Sequence, residues 1–259
     1  MTRKAVLVFA GLDPSGGAGI AADILAVAAQ GAHALPIVTT LTVQDNDHVF
    51  DALAVASETL MRQAQALTDK IAIDAVKIGI PGSRANAQVI FDVIVRLRRQ
   101  HPQLPVVLDP VLASGHGDAL SREDALAALA PLLPLVTLIV PNLPEARALC
   151  GADMGLEQQA LKLHALGCQH VLITGGHGNG DTVINRWFGP ALDGMQRDWC
   201  WPRLPGEFHG SGCTLASAIA ARLAQGDPME QALATAQAYC HRALATSYAI
   251  APGQRIPLR

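Results

Sequence analysis

The chain has 259 residues, 50% of them hydrophobic and only 16% charged, with a formal net charge of −3 at pH 7. So apolar a chain can bury a large core, which excludes intrinsic disorder. Its slight acidity argues against a surface that coats nucleic acid or anionic membrane, since both need a basic stripe.

The pattern predicts apolar strands at Ala5–Ala10, Leu35–Leu41, Ala75–Ile78, Val106–Asp109, Thr137–Val140 and Val171–Thr174, most of them followed by a turn signal and a helical stretch. Runs that are apolar throughout suit strands buried on both faces of a parallel sheet. The alternation predicts a doubly wound α/β domain, and with no linker or repeat in view one domain is expected over 1–259. Ile20, Ile24, Val27 and Ala28 are expected on the buried face of the first helix, with Gly31 ending it. Ser121-Arg-Glu-Asp124 fits a loose capping box. The most apolar stretch, Ala125–Pro141, is broken by Pro131, Pro134 and Thr137 and falls short of the roughly 18 residues of a membrane span. It reads as helix, break and buried strand. Leu161, Leu163 and Leu166 before Gly167 form a further short helix. All three tryptophans fall in Asp181–Pro205, with Gly189-Pro190 and Asp193-Gly194 turns between, which predicts an antiparallel hairpin. Helix resumes at Ser211.

Cys150, Cys168, Cys200, Cys213 and Cys240 are odd in number, widely spaced and without a CxxC or CxxH pair, which predicts reduced thiols in the cytoplasm. The N-terminal apolar run is too short for a signal peptide.

Five segments carry chemistry. Gly11–Asp23 (GLDPSGGAGIAAD) places a glycine-rich turn between strand and helix, where close backbone approach and the helix N-terminus favour an anion. Within it, Gly17-x-Gly19-x-x-Ala22 resembles a dinucleotide fingerprint, but the next strand ends in Thr39-Thr40-Leu41-Thr42, without the required acid. The alternative is a tight turn with close helix packing. Phe208–Thr214 (FHGSGCT) leads small residues into a helix start that suits an anion hole, where the helix dipole is expected to lower the Cys213 pKa toward a proton-accepting thiolate. Asn142 and Glu145, just past a strand end, suit a hydrated Mg²⁺, or else an ordinary helix N-terminus. Asp109 ends another strand, followed by Ser114–Asp118. Thr174–Gly178 repeats that placement, its His177 reading as incidental to a glycine loop. Jointly these suit phosphoryl transfer, although the Walker pattern is absent.

Gly11–Asp23, Leu41-Thr-Val-Gln44, Lys77-Ile-Gly79, Leu108-Asp-Pro-Val111, Pro141-Asn-Leu-Pro-Glu145, Gly175-Gly-His177 and Gly210-Ser-Gly-Cys-Thr-Leu215 occur in this order over almost the whole chain. The sequence closely resembles the hydroxymethylpyrimidine/phosphomethylpyrimidine kinases of thiamine biosynthesis, in the ribokinase-like superfamily. The resemblance implies a three-layer α/β/α sandwich with a mostly parallel sheet, assembled as a homodimer. It implies ATP- and Mg²⁺-dependent phosphorylation of 4-amino-5-hydroxymethyl-2-methylpyrimidine and then of its monophosphate, with no nucleic-acid or membrane partner. Asp23 and Gln44 would hydrogen-bond the aminopyrimidine, and Gly11 and Ile80 would line the ring pocket. Gly210, Ser211, Gly212 and Cys213 would hold the transferring phosphoryl group. Asp109, Asn142 and Glu145 would manage Mg²⁺ and phosphates, with Thr174 and Gly176 on the nucleotide side. Thr174 and Gly115 stand where relatives carry Lys, Ile80 where Met is common, Ser211 where Thr is common, and Asp45-Asn46 where Asn-Thr is usual. The rival readings are a pyridoxal or pyridoxine kinase, a nicotinamide oxidoreductase, and a pyrimidine-binding regulator without turnover.

Overall fold

The computed structural model describes residues 2–112, 125–190 and 196–259. The Ser114–Asp118 segment with Gly115, the Ser121–Asp124 box and the Asp193-Gly194 turn lie outside them. In chain order the elements are β1 (Ala5–Leu12), α1 (Gly19–Ala29), β2 (His33–Gln44), β3 (Val49–Ala54), α2 (Ser57–Thr68), β4 (Ala75–Ile78), α3 (Arg84–Gln100) and β5 (Val106–Leu108). After these come α4 (Ala125–Leu129), a 3₁₀ turn (Leu133–Leu135), β6 (Leu138–Ile139), α5 (Leu143–Cys150), α6 (Leu156–Ala165), β7 (His170–Ile173), β8 (Thr182–Phe188), β9 (Gln196–Pro202), α7 (Ser211–Ala224) and α8 (Met229–Ala245). Among the described residues one nine-stranded sheet runs β3-β2-β1-β4-β5-β6-β7-β8-β9. β2, β1, β4, β5, β6 and β7 are parallel, while β3 and the β8–β9 hairpin pair antiparallel at the two ends.

The apolar runs explain the layering. In β1 the side chains Ala5, Leu7 and Phe9 face one core while Val6, Val8 and Ala10 face another, the period-two alternation of a strand buried on both sides. The first core packs against α2, α3, α4, α5 and α6 through residues such as Leu60, Ile90, Leu129, Ala146 and Leu163. The second packs against α1, α7 and α8 through Ile20, Val27, Ile219, Leu233 and Ala236. The result is an α/β/α sandwich. Each fully buried aliphatic side chain contributes about 1.5–3 kcal/mol by leaving water.

Two local expectations are corrected. Ile24 is 38% exposed and Ala28 is also exposed, so the buried face of α1 runs through Ile20, Asp23, Ala26 and Val27 instead. A charged residue occupies the place that helical spacing reserves for an apolar one. Leu161 and Leu166 are likewise exposed, and only Leu163 of that trio is buried. Strand β3 was not expected. It extends β2 as an antiparallel edge hairpin turned by Asp45, whose carboxylate accepts the N–H groups of Asp47 and His48 at 2.8 Å.

Candidate active site

The loops after β1, β4, β5, β6 and β7, with the start of α7, enclose a cleft of about 680 Å³ at the strands' carboxyl edge. That is where open α/β sheets place ligands. Every site residue expected from sequence lines it except Asp23: Gly11, Gln44, Ile80, Asp109, Asn142, Glu145, Thr174, Gly176, Gly210, Ser211, Gly212 and Cys213. Asp23 is fully buried. Its carboxylate accepts from Lys77 Nζ at 2.9 and 3.1 Å and from Ser217 Oγ at 2.6 Å. Asp23, expected at the ring, is thus paired with Lys77 in the core and does not line the cleft.

Lys77 is the residue that sequence reasoning quoted without a role. Its buried ammonium lies 3.7 Å from Asp109 Oδ2 as well as against Asp23. Desolvation opposes its charge, but the carboxylates of Asp23 and Asp109 outweigh that and raise its pKa. Asp109 is pushed up by burial against the pull of Lys77, and its Oδ2 has no hydrogen-bond partner. Burial, with Asp109 nearby, lifts Glu145 to about 8.

Asn142 and Glu145 form a capping box on α5. Asn142 Oδ1 accepts from Glu145 N at 2.9 Å, and Glu145 Oε2 accepts from Asn142 N at 2.8 Å. These atoms start a helix first, the alternative the spacing left open. An orphaned buried carboxylate oxygen beside a carboxyl of raised pKa still fits a divalent cation held mainly through phosphate oxygens and water. Among the described residues no group of three or more His, Cys, Asp or Glu side chains forms a closed metal cage.

The β1–α1 turn satisfies itself. Asp13 accepts from Ser15 N at 2.8 Å, Ser15 Oγ at 2.9 Å and Ala18 N at 2.7 Å, and pairs with His209 Nε2 at 2.8 Å. Burial would raise the Asp13 pKa, but His209 and Ser15 overcome it and hold the carboxyl near about 2. Gly19 sits at φ +54°, where a Cβ would come within 2.3 Å of the Gly11 carbonyl. This segment is therefore a packed turn, neither a dinucleotide fingerprint nor a phosphate cradle. His209 also touches Gln254 at 3.1 Å and Gln44 at 3.4 Å, while Asn46 bonds the carbonyls of Pro252 and Gln254 at 3.0 and 3.1 Å. Of the expected ring-pocket residues, Gln44 thus stands on a cross-linked wall, while Gly11 lies against Ile80, where a Cβ would come 3.6 Å from the Ile80 Cδ1.

The start of α7 behaves oppositely. Gly210 caps it at φ +75°, pressed so close to Gly17 that a Cβ would lie 2.2 Å from its carbonyl. No side chain caps the helix, and the N–H groups of Ser211, Gly212 and Cys213 have no protein acceptor among the described residues. Arg259 braces this junction, donating to Thr214 Oγ1 at 2.8 Å and the Gly17 carbonyl at 2.6 Å. Such a helix start favours a phosphoryl oxygen. Cys213, however, is no thiolate: burial, aided by Asp109 and Asp23 and only partly opposed by Lys77, pushes its thiol up to about 12. The helix dipole expected to lower it is outweighed.

A three-layer sandwich, a free helix N-terminus and buried carboxylates at one cleft define a small-molecule kinase of the ribokinase-like class. The phosphomethylpyrimidine kinase profile matches residues 13–257, and the chain belongs to that family of phosphotransferases. It is 38% identical to the hydroxymethylpyrimidine/phosphomethylpyrimidine kinase of Mycobacterium tuberculosis, over 98% of this chain and 92% of that one. Among solved structures, an ADP complex of Bacillus subtilis pyridoxal kinase superposes with a TM-score of 0.85 at 27% identity, over 99% of this chain and 97% of the other. Phosphomethylpyrimidine kinase from Clostridium difficile superposes at 0.77 and 28% identity, over 92% and 98%.

Proposed function

We propose that the chain, with ATP and Mg²⁺, phosphorylates the hydroxyl of 4-amino-5-hydroxymethyl-2-methylpyrimidine and then the resulting monophosphate, giving the diphosphate used in thiamine synthesis. The observation that carries this is the α7 start, whose three N–H groups, unclaimed among the described residues, share a cleft with Asp109. Phosphoryl transfer asks for positioning and charge stabilisation more than for covalent chemistry. Gly210–Cys213 bind the transferring group. Gln44 reads the ring, with Gly11 and Ile80 packed against it. Asp109 and Glu145 would hold the cation, which would neutralise charge on the phosphates, and Thr174 and Gly176 face the nucleotide. Cys213, as a thiol hydrogen-bonded to Asp109, lies beside the transferring group and does not take the substrate hydroxyl's proton. Cys213→Ala is then expected to lower kcat by no more than about tenfold, whereas loss of a general base would cost about 10²–10⁴-fold.

The higher TM-score to a pyridoxal kinase favours a second reading, phosphorylation of a pyridine ring. Comparing kcat/KM for hydroxymethylpyrimidine and pyridoxal decides. At least about tenfold preference for the pyrimidine, about 1.4 kcal/mol, is expected; the reverse preference overturns the substrate assignment.

The chain is further proposed to be a cytoplasmic homodimer. Its five cysteines are all unpaired, and no helix among the described residues is long and apolar enough to cross a membrane. Leu41, Val43 and Leu53 are exposed on the β2–β3 hairpin, a face that a second copy would cover. Sedimentation at micromolar concentration tests the dimer, and a monomer there contradicts it.

A further inference from the structure

Among the described residues the cleft is lined by two Lys or Arg side chains, Lys77 and Arg203. Against them stand Asp13, Asp45, Asp47, Asp109, Glu145 and Glu207. Lys77 is committed to the buried Asp23. Arg203, just past β9, has no carboxylate partner among the described residues. Its Nε donates to the Gly180 carbonyl at 2.6 Å, its Nη1 to Gly176 at 2.7 Å and its Nη2 to Gly178 at 2.8 Å. A guanidinium carries five N–H groups, so two remain free for another acceptor. Neutral carbonyls orient the charge without cancelling it.

The loop it grips is otherwise anchored through Gly175, whose N–H reaches Asn185 Oδ1 at 3.0 Å and whose carbonyl accepts from Gly178 N at 2.9 Å. The N–H groups of Gly176 and His177 have no protein acceptor among the described residues. Arg203 therefore consumes the loop's acceptors and leaves its donors. Desolvation and the nearby guanidinium lower the His177 pKa, so the fixed positive charge here is that of Arg203.

We propose that Arg203 is the cation for the phosphate chain of the nucleotide, acting through its two spare N–H groups and through the loop N–H groups it keeps available. This rests on reading the cleft as an ATP site. The test is calorimetric binding of AMP, ADP and the ATP analogue AMP-PCP to wild type, Arg203→Lys and Arg203→Met. Arg203→Met is expected to weaken AMP-PCP and ADP by about tenfold or more and AMP by under about threefold, a gradient set by phosphate charge. Arg203→Lys, which keeps the charge and loses the fork, is expected to fall between. Should Arg203→Met fail to fold, Arg203→Gln carries the same comparison. Equal losses for all three nucleotides, or no loss, overturn the proposal and leave Arg203 a structural clamp. A wild type that binds none of the three overturns the ATP reading itself.

Discussion

In the turn from Asp13 to Gly19 a carboxylate takes up the backbone N–H groups of Ser15 and Ala18. In the loop from Gly175 to Gly180 a guanidinium takes up the carbonyls of Gly176, Gly178 and Gly180 instead. Both are glycine-rich, both follow a strand of one sheet, and both line one cleft. The first is closed and bears load at a packing junction; the second keeps donors for a ligand. Glycine content alone does not mark a phosphate site. The sign of the side chain that satisfies the backbone decides which groups are left over.

The largest expected effect comes from undoing the closed turn. Asp13→Ala removes the acceptor of four donors, His209 among them, and is expected to cost about 3–5 kcal/mol in denaturant unfolding. A loss below about 1 kcal/mol would show the turn is not held as described. Gly19→Ala places a Cβ 2.3 Å from a carbonyl at positive φ and is expected to cost about 2–4 kcal/mol. Gly176→Ala meets nothing within 4 Å. It is expected to change stability by under about 0.5 kcal/mol. Equal destabilisation of the two glycine variants would erase the contrast.

Asp13 also sets an acid limit. Its folded pKa, about 2, lies below the ordinary 3.8, so its contribution is full above the unfolded value and is lost as pH falls through 3.8 toward about 2. After allowance for solvent screening this is at most about 2 kcal/mol. Asp13→Asn should flatten stability in that window, and an unchanged profile would assign the acid limit elsewhere. The smallest expected effect on substrate recognition is that of Asp23. Because it touches Lys77 and not the cleft, Asp23→Asn is expected to lower the melting temperature while leaving the pyrimidine KM within about twofold. A KM rise in a stably folded variant would restore ring contact.

The layered fold was legible because the parallel strands share short apolar runs, such as Ala5–Ala10, Val106–Leu108 and Val171–Ile173, that are buried on both faces. β3 was not, since Val49–Ala54 carries Asp51 and three exposed residues on an edge. The misread face of α1 has one cause: Asp23 is buried only because Lys77, 54 residues on, and Ser217, 194 residues on, arrive to meet it. Glycine motifs located the cleft but did not show which of them would be satisfied internally. Arg203 gave no local signal, as its role exists only once β9 lies beside the loop after β7. The Cys213 pKa depends likewise on three charges brought in from other strands and helices.

The most direct test of the whole account is the mass of the product formed from ATP, Mg²⁺ and hydroxymethylpyrimidine, and separately from its monophosphate. Diphosphate from both substrates is the predicted result. No phosphorylated product from either, with pyrimidine bound to the folded protein, would contradict the assignment of the cleft as a kinase site.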